Sequence, residues 1–237
     1  MTAFLAALNV VLLTRLWLFR TDIKATWTRV SLAGMTQILT LPALFGWGPQ
    51  TCKSAAILIA ATVILLITER MNTIRIVARL VILIATGIGL GWVCNTMQFS
   101  TTLPHARDYL QSHHPVGAVI ASIHWRVFQA RALGVLLCLE ETNLLLRIIL
   151  RTLKVTAPSD LTTHSPLIGL IERMLIFIFT VNNQFNAVGF ILTAKSIVRF
   201  HEAQKTEAVS YILIGTLLST LSAIVLARCT EYLILGQ

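Results

Sequence analysis

Between Pro166 and the C-terminus lie two long apolar runs, Leu167–Thr193 and Ala208–Leu226, joined by the charged stretch Lys195–Glu207. Each run exceeds the roughly 18–20 residues that an α-helix needs to cross a bilayer core about 30 Å thick. Lipid offers the backbone no hydrogen-bond partner, so strand-based or mixed folds are all but excluded. The fold class expected is all-α, a polytopic transmembrane helical bundle.

The rest of the chain agrees. Of 237 residues, 56% are hydrophobic and 12% charged, too few charges to clothe a soluble surface of that size. The formal net charge of +9 would suggest nucleic acid in a soluble protein. Here the basic residues lie between or at the ends of apolar runs, where they meet headgroups and cytoplasm, and no nucleic-acid partner is expected. Arg15 and Arg20 follow the N-terminal apolar stretch instead of preceding it, which reads as a retained first helix with its N-terminus outside and not as a secretory signal. Cys52, Cys94, Cys138 and Cys229 form no CxxC and read as small apolar fillers of helix packing.

Candidate spans are Thr2–Phe19, Val30–Trp47, Ser54–Thr68, Ile74–Val93, Pro115–Leu139, Leu167–Thr193 and Ala208–Ala227, about six or seven in all. Pro42, with Gly46 and Gly48 beyond it, predicts a kink or an early stop. Thr142–Lys154 sets Leu144, Leu145, Ile148 and Ile149 against Arg147, Arg151 and Lys154, the spacing of an amphipathic helix at the cytoplasmic interface. The polar stretch from His105 to His114 reads as an exposed loop. Residues 157–166, with Pro158 and Pro166, read as a linker between an N-terminal transmembrane region, 1–156, and a C-terminal helix pair, 167–237.

Alternate connections are basic: Arg15, Arg20, Lys24 and Arg29; then Arg70, Arg75 and Arg79; then Arg147, Arg151 and Lys154. The positive-inside rule puts these in the cytoplasm, with the N-terminus outside and the C-terminus inside. Lys195, Arg199 and Lys205 disagree, falling on the outer side of this arrangement beside Glu202 and Glu207.

The sixth run holds the least expected residues. Glu172 and Arg173 stand near its start, reading as an interfacial charge pair, and Asn182, Asn183 and Asn186 stand further on. On one continuous helix Glu172, Asn183 and Asn186 fall within about 60° of one face, which reads either as glue to other helices or as a hydrophilic route. Gly215, Ser219, Ala223 and Ala227 recur at the small-xxx-small spacing of a helix-packing seam. Gly87, Gly89 and Gly91 permit close approach but cradle no phosphate. The histidines form no HExxH, and no GxSxG is present. No metal, cofactor or catalytic residue is expected.

The motifs Ile168-Gly169-Leu170-Ile171-Glu172-Arg173, Asn186-Ala187-Val188-Gly189-Phe190, Ala194-Lys195-Ser196-Ile197-Val198-Arg199-Phe200 and Leu213-Ile214-Gly215-Thr216-Leu217-Leu218-Ser219 occur in that order. As a set they resemble the C-terminal part of a family of bacterial polytopic inner-membrane proteins classed only as a domain of unknown function. The resemblance implies a bacterial inner membrane and no known reaction. It singles out Glu172, Arg173, Lys195, Ser196 and Arg199 as the polar members of the matching motifs. The expected role is a non-enzymatic subunit that binds lipid and other membrane proteins or itself. A small transporter or channel is the alternative, with an intramembrane enzyme third.

Overall fold

The structure, a computed structural model, describes residues 2–19, 26–69, 75–94, 124–153, 166–203 and 208–235. Among these residues it is all helical, in two compact units, Met1–Leu133 and Gly134–Gln237. The His105–His114 loop, the start of the fifth apolar run at 115–123 and the linker up to 165 lie outside the described residues. Pro166 already begins a helix.

The first unit is built on α1 (Thr2–Phe19), α2 (Trp27–Phe45), α3 (Pro49–Thr68) and α4 (Arg75–Cys94). Successive helices run antiparallel, and α4 returns to α1, where Gly91 meets the Phe4 ring. Pro42 lies within α2, which stops three residues later. The chain turns through Gly46, whose φ of 73° suits a residue without a Cβ, and α3 starts on Pro49. At the crossing of α2 and α3, a Cβ on Gly34 would stand 2.7 Å from Thr62 Cγ2, so only glycine allows these backbones to approach. Gly87, Gly89 and Gly91 make only ordinary contacts, the nearest at 3.4 Å. One buried cluster joins Ala7, Val11, Leu41, Leu58, Leu90 and Cys94; a second joins Leu18, Val30, Ala33 and Leu65.

Large apolar side chains also cover the outside of this unit, among them Leu32, Met35, Leu39, Ile59, Ile67 and Ile88. Exposed tryptophans stand at both ends of the bundle: Trp17 and Trp27 at one, Trp47 and Trp92 at the other. Trp27 and Trp47 are twenty residues apart along α2 and its turn. At about 1.5 Å per residue that spacing matches the roughly 30 Å hydrocarbon thickness, with amphipathic rings at both interfaces.

The α5 helix (Trp125–Leu136) runs across the boundary between the units and continues through a π-helical segment, Leu137–Glu141, into α6 (Thr142–Thr152). Thr142 Oγ1 donates to the Leu137 carbonyl at 3.0 Å, following the wider spacing of that segment. The second unit is completed by α7 (Pro166–Val181), α8 (Phe185–Ala203) and α9 (Ala208–Leu235). Its core gathers Cys138, Ile176, Phe177, Val181, Val188, Ala223 and Ala227. Gly134 is its tightest point: a Cβ there would stand 2.4 Å from Phe177 Cζ and 2.5 Å from Thr230 Oγ1.

The expected sixth span, Leu167–Thr193, is not one helix. It stops at Val181, turns through Asn182–Gln184 and resumes as α8, which packs back along α7. The turn is a Schellman cap. Asn183 N–H donates to the Thr180 carbonyl at 3.0 Å and Gln184 N–H to Phe179 at 2.8 Å, while Asn183 takes the left-handed φ of 56°. Asparagine is the residue after glycine best suited to that conformation. The Gln184 carbonyl then accepts from Ala187 and Val188 to start α8.

Three helical stretches are long and apolar enough to cross a membrane: Pro49–Thr68, Ile76–Cys94 and Leu213–Leu235. Thr2–Leu18 and Phe185–Ile197 are apolar but shorter. All four cysteines are free; Cys94 and Cys138 are buried fillers, whereas Cys52 and Cys229 are exposed, against the expectation that all four fill the packing.

Candidate functional site

The hairpin break scatters the face that a continuous sixth helix would have carried. Glu172 lies on α7, Asn183 in the turn and Asn186 in the first turn of α8, so the hydrophilic stripe expected along one helix does not form. Asn182, Asn183 and Asn186 are exposed at the hairpin tip. Asn182 Nδ2 donates to the Ile178 carbonyl at 2.8 Å. Arg228 of α9 reaches the tip, donating to Asn183 Oδ1 at 3.2 Å, with its guanidinium 5.0 Å from the centre of the Phe185 ring.

Glu172 and Arg173 do not pair with each other. Successive residues on a helix point about 100° apart, and the two side chains serve different neighbours. Glu172 accepts from Lys195 Nζ across the hairpin, in a pair whose side chains are 20% and 9% exposed. Arg173, buried, donates from Nη2 to Asn143 Oδ1 on α6 at 2.6 Å. Ser196 is exposed and donates to its own helix at Leu192, and Arg199 lies further along α8. On α9, Ala223 and Ala227 are fully buried and Ser219 is half-buried, whereas a Cβ on Gly215 would meet nothing within 4 Å.

The face of α8 turned away from α7 is mixed, with small and weakly polar residues among large apolar ones. Val188 and Lys195 point inward, and on the exposed side Asn186, Gly189, Thr193 and Ser196 stand beside Phe190 and Ile197, 75% and 63% exposed. A Cβ on Gly189 would meet nothing within 4 Å. Thr193 and Ser196 turn their hydroxyls back onto the carbonyls of Gly189 and Leu192, a habit that leaves their methyl and methylene surfaces outward.

The first unit holds a polar cluster that the sequence reading assigned to headgroups. Arg79 Nε donates to Glu69 Oε1 at 2.6 Å, with both side chains 5% exposed. Arg15, equally buried, donates from Nη2 to the Arg79 carbonyl at 3.1 Å. Glu69, Arg79 and Arg15 are thus buried within the bundle and partnered there. Gln37 Nε2 donates to Thr14 Oγ1 at 2.5 Å. A cleft of about 30 Å³ lies among Val11, Arg15, Gln37, Leu58, Thr62 and Thr86, room for about one water. The sequence signal was available: Arg15 and Arg79 each fall inside an apolar run, where an ionised side chain needs a protein partner. Among the described residues no group of three or more His, Cys, Asp or Glu side chains could hold a metal ion.

What this arrangement does physically is join helices. Arg79–Glu69, Arg15–Arg79, Gln37–Thr14, Asn9–Gln129, Arg173–Asn143, Lys195–Glu172 and Arg228–Asn183 each bridge two segments of their own unit. Comparison of the chain with protein families, with curated proteins and with solved structures finds no match.

Proposed function

We propose that this protein is a multi-pass component of a bacterial inner-membrane complex that acts by binding a partner membrane helix and carries out no reaction of its own. The observation that carries this reading is that the outward side of α8 sets the small or weakly polar Asn186, Gly189, Thr193 and Ser196 beside the exposed Phe190 and Ile197. Lipid tails favour large apolar side chains, whereas small and weakly polar ones let a second helix approach closely and share hydrogen bonds. The partner is another subunit or a second copy of this chain, and the resemblance of the C-terminal motifs supports the bacterial setting. The polar pairs inside both units are read as helix-to-helix glue.

α1 and α2 join α3 and α4 as spans, a reading supported by the tryptophans at both ends of the first unit and the apolar exterior between them. In that unit the end holding Arg29, Glu69, Arg75 and Arg79 faces the cytoplasm, with Trp47 and Lys53 outside. For the second unit, the hairpin supports a different orientation from the one the uninterrupted run implied. The chain enters and leaves the α7–α8 hairpin at the same end, so Lys195, Arg199 and Lys205 join Arg147 and Arg151 on the cytoplasmic side. The disagreement with the positive-inside rule disappears, and the end of α9 beyond Arg228 lies outside.

Replacing Gly189 with Leu tests the partner surface, since the added side chain has open space within this chain. The folded protein should keep its thermal stability while its co-purifying partner or dimer is lost; an unchanged assembly would sink the proposal. Single cysteines test the orientation. An impermeant maleimide added outside should label position 233 and the His105–His114 loop, and should leave positions 75 and 205 unlabelled. Labelling at 205 but not at 233 would restore the single sixth span.

A further inference from the structure

Each of the first four helices sends one polar side chain to the same place. Arg15 from α1, Gln37 from α2, Thr62 from α3 and Thr86 from α4 all line the cleft of about 30 Å³ at the centre of the first unit. Arg15, Gln37 and Thr86 are each less than a tenth exposed. Polar groups set so deep among apolar helices need partners, and an occupant of the cleft must match both its size and the hydrogen-bonding sense of the atoms around it.

That sense is mixed. Thr62 and Thr86 give their hydroxyl protons to their own helices, at the Leu58 carbonyl 2.7 Å away and the Ile82 carbonyl 2.6 Å away, so each oxygen is left to accept. Gln37 Nε2 is held by Thr14 Oγ1 at 2.5 Å, and among the described residues no hydrogen bond ends on Gln37 Oε1. Arg15 is the donor of the set: its N–H groups can only give, and Nη2 gives to the Arg79 carbonyl at 3.1 Å. A cation would meet the guanidinium, and an anion would meet three acceptor oxygens. An apolar occupant would leave all four groups unmatched. Water both gives and accepts, and a site for it needs only about 10–15 Å³ and two to four polar partners.

We propose that the centre of the first unit binds one water molecule, which accepts from Arg15 and donates to Gln37 Oε1 and to a threonine oxygen. With it the polar groups form an unbroken track from Glu69 and Arg79 through Arg15 to Gln37 and Thr14, and the axis of this unit is wet instead of apolar. Leu41 and Leu90, buried in the neighbouring cluster, do not line the cleft and stay dry. The inference rests on the core of the first unit alone, so it stands or falls apart from the partner surface of α8 and from the orientation in the membrane.

Synchrotron radiolysis of the full chain in mild detergent tests the site, because hydroxyl radicals made from a bound water oxidise the side chains that touch it where bulk solvent does not reach. Mass spectrometry should find Leu58 and Val11 oxidised although both are buried at the cleft wall, and Leu41 and Leu90 silent. Gln37→Met with Thr86→Val keeps the volumes and removes two acceptors. Oxidation of Leu58 should then fall to the level of Leu41, with the exposed Trp92 unchanged as the measure of dose. Silence at Leu58 and Val11 in the unaltered chain, or undiminished Leu58 oxidation in the double variant, would overturn the proposal. Equal oxidation of Leu41 and Leu90 would mean that bulk water enters the bundle, and would overturn it too. Should the double variant fail to fold, a rapid switch of the unaltered chain into heavy-oxygen water decides the question. A water held inside the bundle exchanges late, so the isotope should enter the Leu58 product after the Trp92 product; simultaneous entry would overturn the site.

Discussion

Polar side chains inside apolar runs reach neighbouring helices in both units, but only in the second do they also break a helix. In the first unit the helices continue past Arg15, Gln37 and Arg79, and these side chains reach neighbouring helices. In the second unit the helix stops at its asparagines, and the polar groups become a turn. The choice follows from the residues. Arginine and glutamine have stems long enough to cross to the next helix while leaving their own backbone bonds intact. Asn182–Asn183–Gln184 puts three polar residues together, one of them suited to a left-handed φ, and a helix end there satisfies side chains and backbone at once.

The comparison breaks most readily at Glu69. Glu69→Leu takes the carboxylate from a guanidinium held 4% exposed among apolar helices, which should destabilise the first unit by about 3 kcal/mol. Thermal unfolding in detergent measures this, and Glu69→Leu with Arg79→Leu should recover much of the loss because the uncompensated charge goes with it. A cost below about 1 kcal/mol for the single change would place the pair in water and remove the contrast with the exposed hairpin tip.

Close approach is the feature the units share, and it differs in degree. Gly134→Ala drives a Cβ into the edge of the buried, rigid Phe177 ring and into Thr230 Oγ1, and should cost about 2–3 kcal/mol. Gly34→Ala meets only Thr62, a smaller side chain, and should cost about 1–2 kcal/mol. Thr62→Ala should restore the second variant, since Cγ2 and Oγ1 are the atoms in the way. If Gly34→Ala proves the more damaging, the α2–α3 crossing and not Gly134 is the tightest joint.

Why some of this was legible in the sequence and some not is itself physical. Apolar runs report the solvent, so α1 and α4 could be placed within a residue of their observed ends, whereas α3 begins five residues before the expected Ser54 and α9 runs eight beyond the expected Ala227; Pro42 with Gly46 and Gly48 announced the turn between α2 and α3. Hydrophobicity carries no sign of direction, however, and a run of apolar residues long enough for one span also makes two shorter helices folded against each other. The signal for the second reading was the cluster Asn182–Asn183–Gln184. That cluster makes a polar face only on a helix without interruption, and here it makes the turn that interrupts it. The alternating Gly87, Gly89 and Gly91 show where close approach is permitted, whereas the isolated Gly34 and Gly134 are where a neighbour uses it. Glu172–Lys195 and Arg173–Asn143 depend on which helices become neighbours, which one chain's sequence does not record.

The smallest effect expected is also the one that separates backbone from side chain at the hairpin tip. Asn183 does two things: it adopts φ 56°, and its Oδ1 accepts from Arg228 at 3.2 Å. Asn183→Gly keeps the conformation and loses the bond. At an exposed site that bond is worth only a few tenths of a kcal/mol, and glycine's ease in the left-handed region offsets it, so the melting temperature should hardly move. Asn183→Leu loses the same bond and also sets a branched side chain at positive φ, which should cost about 1 kcal/mol. Asn186→Leu, on the outward face of α8, should leave unfolding unchanged and act only on assembly. If glycine at 183 costs as much as leucine, the clasp to Arg228 and not the turn fixes the hairpin. The helix break would then depend on α9 being in place, and α7 and α8 would form a single helix when α9 is removed.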